Sequence, residues 1–213
     1  MYLPAHFRVD DPAELDALAA RDPFATMVTV ADGAPFATHL PVLYAREGER
    51  VTLRGHWARA NPQWRGIETQ EALVILHGPH AYVSPTWYAD RQRRVPTWNY
   101  LAAHLAGRIE LHAVDPQDAA GRDALRGIVV ELASRFEADR DAAWSMSETG
   151  AVGEAMLAGI VGFTFTATRI QFKAKLHDHH PVENRLGVIE GLRAAGSEQE
   201  RAVADAMTRR LQA

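Results

Sequence analysis

The sequence predicts a mainly β protein with flanking helices, an α+β fold organised as a small antiparallel barrel. Short β-rich runs follow one another with tight turns between them, and helical patterns flank them. No strand–helix alternation of the βαβ kind occurs in the first part of the chain. Neither G-x-G-x-x-G nor a P-loop is present, which argues against a doubly wound nucleotide-binding fold.

Asp11-Pro12-Ala13-Glu14 opens the first helix: Asp11 caps it, Pro12 fits its first position, and Pro23 stops it. Residues 24–30 then read as a strand, Asp32-Gly33 as a hairpin turn, and 35–45 as a second strand broken near Pro41. Residues 50–56 form a third strand with Val51 and Leu53 inward, so the three predict an antiparallel meander. Asn61 caps a short helix that begins at Pro62. Residues 72–76, apolar and too short for a helix, and 81–84 predict two further strands, followed by an irregular excursion with Arg91, Arg93 and Arg94. Thr97–His112 is a long run that alternates in its second half. Asp115-Pro116 caps a long helix whose apolar stripe is Leu125, Ile128, Val129, Leu132 and Phe136. After a loop over 138–150 and a short helix near 152–157, a last β section carries Val161, Phe163 and Phe165 inward. A bulge near Thr168-Arg169 shifts the inward set to Ile170, Phe172, Ala174 and Leu176. Ser197 to Glu200 is a capping box for a final helix with Val203, Met207 and Leu211.

Composition narrows the function. With 213 residues, 47% hydrophobic and 23% charged, the chain is an ordinary globular protein of one large domain, or one domain with an appendage. The absence of Cys excludes a disulfide scaffold, a Cys nucleophile, a thiolate zinc site and an iron–sulfur cluster. The net charge of −4 argues against a surface that is wholly a nucleic-acid footprint. Met1 to Phe7 shows no signal-peptide pattern, and no apolar stretch reaches the roughly 18 residues of a membrane helix. The expectation is a soluble cytoplasmic protein with no membrane partner.

Three constellations carry candidate chemistry. In Arg54-Gly55-His56-Trp57-Ala58-Arg59-Ala60-Asn61-Pro62-Gln63-Trp64 a strand runs into a helix N-terminus flanked by cations, which suits an anion such as a phosphate. Surface arginines beside an Asn cap give the same pattern. Ser84-Pro85-Thr86-Trp87-Tyr88 and Val95-Pro96-Thr97-Trp98-Asn99-Tyr100 cluster aromatic rings with amides, suiting a planar heteroaromatic ligand, a subunit interface or core aromatics that tie down a loop. In Lys173-Ala174-Lys175-Leu176-His177-Asp178-His179-His180 both lysines share one strand face. The histidines are of the type that binds a metal or a haem iron, and a solvated strand end reads the same way; no metal site is assigned. Local signatures for Ser/His/Asp catalysis are missing.

The sequence resembles the PaiB-type FMN-binding negative transcriptional regulators. The matching pieces are Met1 to Phe7, Pro23-Phe24-Ala25-Thr26, Thr38-His39-Leu40-Pro41, Leu53-Arg54-Gly55-His56 through Trp64, Gly78-Pro79-His80-Ala81-Tyr82-Val83-Ser84-Pro85, Val95 to Tyr100 and Ile160-Val161-Gly162-Phe163. They occur in the family's order from residue 1 to about 192. The resemblance implies an antiparallel split β-barrel of FMN-binding type over residues 1–176, with the helix at about 116–137 inserted and 177–213 as a helical extension. It further implies a homodimer with FMN at the interface. One protomer would contribute Thr38, His39 and Leu40 along the flavin ring and Arg54, His56, Arg59 and Asn61 near its phosphate. The other would contribute Trp98, Asn99, Tyr100, Lys173 and Lys175. Where the family carries a Lys-Trp-Lys-Leu-Ser-Gln-Asn type segment, this chain has Lys173-Ala174-Lys175-Leu176-His177-Asp178-His179.

Three functions follow from the resemblance: a flavin-binding regulator with a DNA or regulatory protein partner, a flavin-dependent oxidoreductase, or a haem-binding split barrel using the C-terminal histidines. In an enzyme the flavin carries the chemistry and the protein supplies position and electrostatics, with Arg54 or Lys175 placed to stabilise negative charge on the reduced ring. The final helix offers only Arg201, Arg209 and Arg210 as basic residues, and no helix-turn-helix is discernible.

Overall fold

The computed structural model describes residues 1–115 and 117–212, with only the backbone described at Arg93. In chain order the elements are β1 (Arg8–Val9), α1 (Pro12–Arg21), β2 (Phe24–Ala31), β3 (Ala34–Pro41), β4 (Leu43–Glu47), β5 (Arg50–Ala58), β6 (Ala72–Val83), β7 (Thr97–His112), α2 (Ala119–Glu137), α3 (Gly150–Met156), β8 (Ile160–Lys175), α4 (Val182–Ala195) and α5 (Glu198–Gln212), joined by turns and short 3-10 segments. The chain divides into two compact units of interleaved segments. The first comprises Met1–Leu18, His77–His104 and Gln171–Ala213; the second comprises Ala19–Leu76 and Leu105–Ile170.

The second unit is an antiparallel sheet with helices against it. Asp32 and Gly33 both take positive φ (52° and 76°), the requirement of a type I′ turn, and join β2 to β3 with Ala31 opposite Ala34. β4 pairs with β5, β2 also pairs with β6, and β5 pairs with β8 so that Leu53 faces Phe165. The strand order is β3-β2-β6-β7-β8-β5-β4. The expected meander does not form, because the run broken at Pro41 becomes two strands at opposite ends of that order. Pro41 has no N–H to extend the ladder, and the Val42 N–H turns away to donate to the Pro23 carbonyl (2.9 Å). Alternation on β5 buries Val51, Leu53 and Trp57; Leu53 is paired with Phe165 of β8, and the Trp57 and Phe163 rings lie 4.5 Å apart. Gly55 is bare because an added Cβ would meet the Phe163 ring and the Pro41 carbonyl. α2 lays Ile128 and Leu132 on Leu43, and its N-cap is Asp118 rather than the predicted Asp115, which accepts from the Gln117 N–H (2.8 Å); Pro116 lies outside the described residues.

In the first unit β1 pairs with the end of β8, placing Val9 opposite Phe172. α1 begins as expected, with the Ala13 N–H donating to Asp11 Oδ1 (2.9 Å) and Leu15 and Leu18 buried. The two short strands expected over 72–84 are one strand, β6. Gly78 does not break it, since lacking a Cβ lets Leu101 of β7 approach. α4 has no counterpart among the sequence expectations. It starts at Pro181 and ends at Gly196, which takes φ 80° and donates to the Leu192 carbonyl. α4 buries Val188, Ile189 and Leu192, α5 buries Val203, Ala204 and Met207, and the two helices pack together. Trp87 lies against Gly187 and Gly191 of α4, where any side chain would collide with it. Among the described residues no helix is long and apolar enough to cross a membrane.

Candidate functional site

The second unit holds Thr38, His39 and Leu40 on β3, Arg54 and His56 on β5, and Arg59 and Asn61 in the turn that follows. Asn61 caps the 3-10 turn Pro62–Trp64 by accepting from the Gln63 N–H (2.9 Å), and its amide donates to Thr38 Oγ1 (2.9 Å). Two predicted segments distant in sequence are thereby joined. His39 Nδ1 lies 2.9 Å from Thr26 Oγ1, and its ring stacks on Phe24. Leu40 is buried, as alternation along β3 requires. Burial lowers the pKa of His56 and keeps it neutral, and its buried Nδ1 has no hydrogen-bond partner among the described residues. Arg54 reaches Glu131 of α2 at 2.6 Å.

Arg59 acts within its own unit. Its guanidinium donates to the carbonyls of Ala158, Val114, Ala113 and Ile160 at 2.7–2.9 Å. The backbone N–H groups of Arg59, Asn61, Gln63 and Arg65 are also engaged inside the chain. The turn is three residues long, so side chains rather than a row of free amides are what this junction offers an anion. Gln63 carries no motif of its own in the sequence. It is buried, accepts from the Trp57 indole N–H (3.0 Å), and its amide lies near Met27 O, Thr29 Oγ1 and Phe36 O at 3.1–3.2 Å.

The first unit holds Trp98, Asn99 and Tyr100 on β7 and Lys173 and Lys175 on β8. Trp98 is 52% exposed beside His80 and Tyr82. Lys173 is buried, lies over the rings of Tyr2, Phe7 and Tyr100 at 5.3–5.6 Å, and donates to the Tyr2 carbonyl. Lys175 donates to Thr97 Oγ1, and burial lowers its pKa. Ala174 and Leu176 are fully buried on the opposite face, as the alternation predicts.

Asn99 is fully buried and bonds to His177. His177 Nδ1 lies 2.6 Å from Asn99 Oδ1, and Nε2 lies 2.6 Å from the Tyr88 hydroxyl. No signal in the sequence pairs residues 88, 99 and 177. Burial, then the neighbouring imidazoles and cations, push the His177 pKa down to about 3. The described residues contain no group of three or more His, Cys, Asp or Glu able to hold a metal ion.

Comparison with known proteins places this geometry in a family. A family model described as "Putative FMN-binding domain" matches residues 1–169. The chain is 32% identical to the Bacillus subtilis protein named Protease synthase and sporulation protein PAI 2, over 99% of this chain and 98% of that one. An uncharacterised protein of Emericella nidulans is 26% identical over 94% of this chain and 89% of its own length. Among solved structures, the FAD and haem binding protein of Mycobacterium smegmatis aligns with a TM-score of 0.51 and 21% identity, covering 89% of this chain and 80% of that one. The flavocytochrome Anf3 of Azotobacter vinelandii aligns with a TM-score of 0.50 and 18% identity, covering 79% and 69%. These structural likenesses establish a fold, the antiparallel split barrel with flanking helices. By the match over residues 1–169 and the relative aligned over 99% of this chain, the chain belongs to the PaiB-type FMN-binding domain family.

Proposed function

We propose that the protein binds FMN as a homodimer and acts as a negative transcriptional regulator of PaiB type. The hydrogen bond from Asn61 to Thr38 carries the flavin reading, because it joins the two segments that the resemblance assigns to one ligand. The donor set fits FMN. His56 has a buried ring nitrogen that lacks a partner among the described residues, His39 supplies a second imidazole, and Arg54 a cation. In this reading Arg54, His56 and Asn61 hold the phosphate end, with Thr38, His39 and Leu40 along the ring. Arg59 fixes the backbone beneath them. When bound, FMN supplies hydride and electron transfer.

The partner subunit supplies its own copies of Trp98, Asn99, Tyr100, Lys173 and Lys175. Trp98 offers an exposed flat ring, while Asn99 and Lys173 position their neighbours. Regulation through a protein or metabolite fits better than direct DNA contact, since the net charge is −4 and Arg210, one of three basic residues on α5, is paired with Glu14 and Asp178.

The test is reconstitution. Purified dimer incubated with FMN and desalted is expected to show the visible absorbance of oxidised flavin. Asn61→Ala and Thr38→Ala are expected to weaken FMN by roughly tenfold each, the loss of one hydrogen bond near a charged group. A dimer that stays colourless in excess FMN overturns the proposal.

A further inference from the structure

The first unit contains a cavity of about 280 Å³ whose lining includes Tyr88, Arg94, Lys175, His177, His179 and His180. Of these, only Lys175 belongs to the proposed flavin set. Asn99 fixes the chemistry at its deep end. Its amide nitrogen faces Met207 Sδ (3.2 Å), so Oδ1 accepts from His177 Nδ1–H, and His177 Nε2 then accepts from the Tyr88 hydroxyl.

His177 also holds φ at 66°, a left-handed conformation uncommon for a residue with a side chain, and the His180 N–H donates back to its carbonyl. That turn gathers the rings. His180 stacks on Tyr88 at 5.7 Å and meets His177 and His179 at 4.4 Å each. The buried Nδ1 of His180 has no partner among the described residues.

The charges around these imidazoles come from every neighbouring element. Arg94 and Asp90 lie on the excursion, Lys175 and Asp178 at the end of β8, and His6 near the N-terminus. Both carboxylates are already engaged: Asp90 by Arg94 and Asn184, Asp178 by Arg185 and Arg210. Lys175 is left as a cation without a carboxylate partner among the described residues, and Arg94 lines the cavity while bonding Asp90 through Nε and Nη2. Burial and the neighbouring positive groups push the His180 pKa down to about 4. The site is electropositive and walled by aromatic faces, and His180, whose buried Nδ1 has no partner among the described residues, stands in its lining.

We propose that this cavity binds a small aromatic carboxylate together with a proton taken from solvent. The ring of the ligand lies against the phenol and imidazole faces. Its carboxylate meets Arg94 and Lys175. The arriving negative charge offsets the repulsion that holds His180 neutral, so the imidazole takes up the proton as the ligand enters.

The test is calorimetric titration of the full-length protein, without added flavin, with benzoate at mildly acidic pH in two buffers of different ionisation enthalpy. Benzyl alcohol serves as the uncharged probe. Saturable benzoate binding with net proton uptake is expected, its affinity falling by up to about tenfold for each pH unit gained. R94Q is expected to weaken benzoate by roughly tenfold, the loss of a charge-assisted contact, while leaving FMN affinity unchanged. H180Q, which breaks no ion pair, is expected to fold normally and to abolish the proton uptake. If R94Q fails to fold for want of its bond to Asp90, H180Q decides. The proposal is overturned by benzyl alcohol binding as tightly as benzoate, by no saturable benzoate binding, by proton uptake that survives in H180Q, or by a parallel loss of FMN affinity in folded R94Q, which would make the cavity part of the flavin site.

Discussion

Gln63 in the second unit and His177 in the first are both buried polar side chains at the centre of a hydrogen-bond network, 3% and 2% exposed. Gln63 faces backbone carbonyls, a Thr hydroxyl and an indole N–H, all belonging to the fold around it. His177 is satisfied on both nitrogens, but its network runs outward to the Tyr88 oxygen at the wall of a cavity. The first network is closed, and its value is stability. The second ends at a cavity wall beside Arg94 and Lys175, which is where a ligand can be recognised.

Substitutions at the two centres break the comparison in different ways. Gln63→Ala strands the Trp57 N–H and removes the amide from Met27 O and Phe36 O, so a loss of roughly 3–5 kcal/mol is expected in urea unfolding. Asn99→Leu removes the acceptor for His177 Nδ1 and the weak amide contact to Met207 Sδ. About 2 kcal/mol is expected, accompanied by a change in the His177 tautomer visible in imidazole nitrogen NMR shifts. A cost equal to that of Gln63→Ala would show that the His177 network is closed as well. Tyr88→Phe takes away one hydroxyl and is expected to cost about 1 kcal/mol.

The two centres also differ in acid. His177 and His180 have folded pKa values of about 3 and about 4, below the 6.5 of an unperturbed His. Between those limits the unfolded chain binds more protons than the folded one, so stability is full above about 6.5 and declines as pH falls toward 4. Gln63 contributes nothing to that slope. Thermal unfolding from pH 7 to 4 is expected to show a shallower decline in His180→Gln than in the unaltered protein; identical profiles would refute the assignment.

Much of the fold was legible because local chemistry decides it. The 97–112 strand, the Asp32-Gly33 turn, the Asn61 cap and the Ser197/Glu200 capping box all appear at the predicted positions. What escaped depends on partners. Gly78-Pro79 reads as a break until Leu101 is seen to occupy the space of the missing Cβ. α4 carries a weak local signal, and its role emerges from packing on α5 and Trp87. A boundary at 176/177 is a point along the chain, whereas the compact units are interleaved segments. In the site, sequence motifs supplied positions but not pairings. Arg59 reads as a free cation, yet four carbonyls converge on it only once strands and helices are assembled. His177 was visible as a departure from the family pattern, and its link to Tyr88 was not.

The strand broken at Pro41 has a kinetic consequence. β3 and β4 stand at opposite ends of the strand order but are joined through Val42 alone, so the chain segment between the sheet's terminal strands is almost as short as a connection can be. The β2–β3 and β4–β5 hairpins are equally local and can form early. The slow event is the zipping of β5 onto β8, which brings residue 53 to residue 165 across more than half the chain. The barrier to folding is therefore expected to lie in that distant pairing, with the Pro41 corner formed well before it.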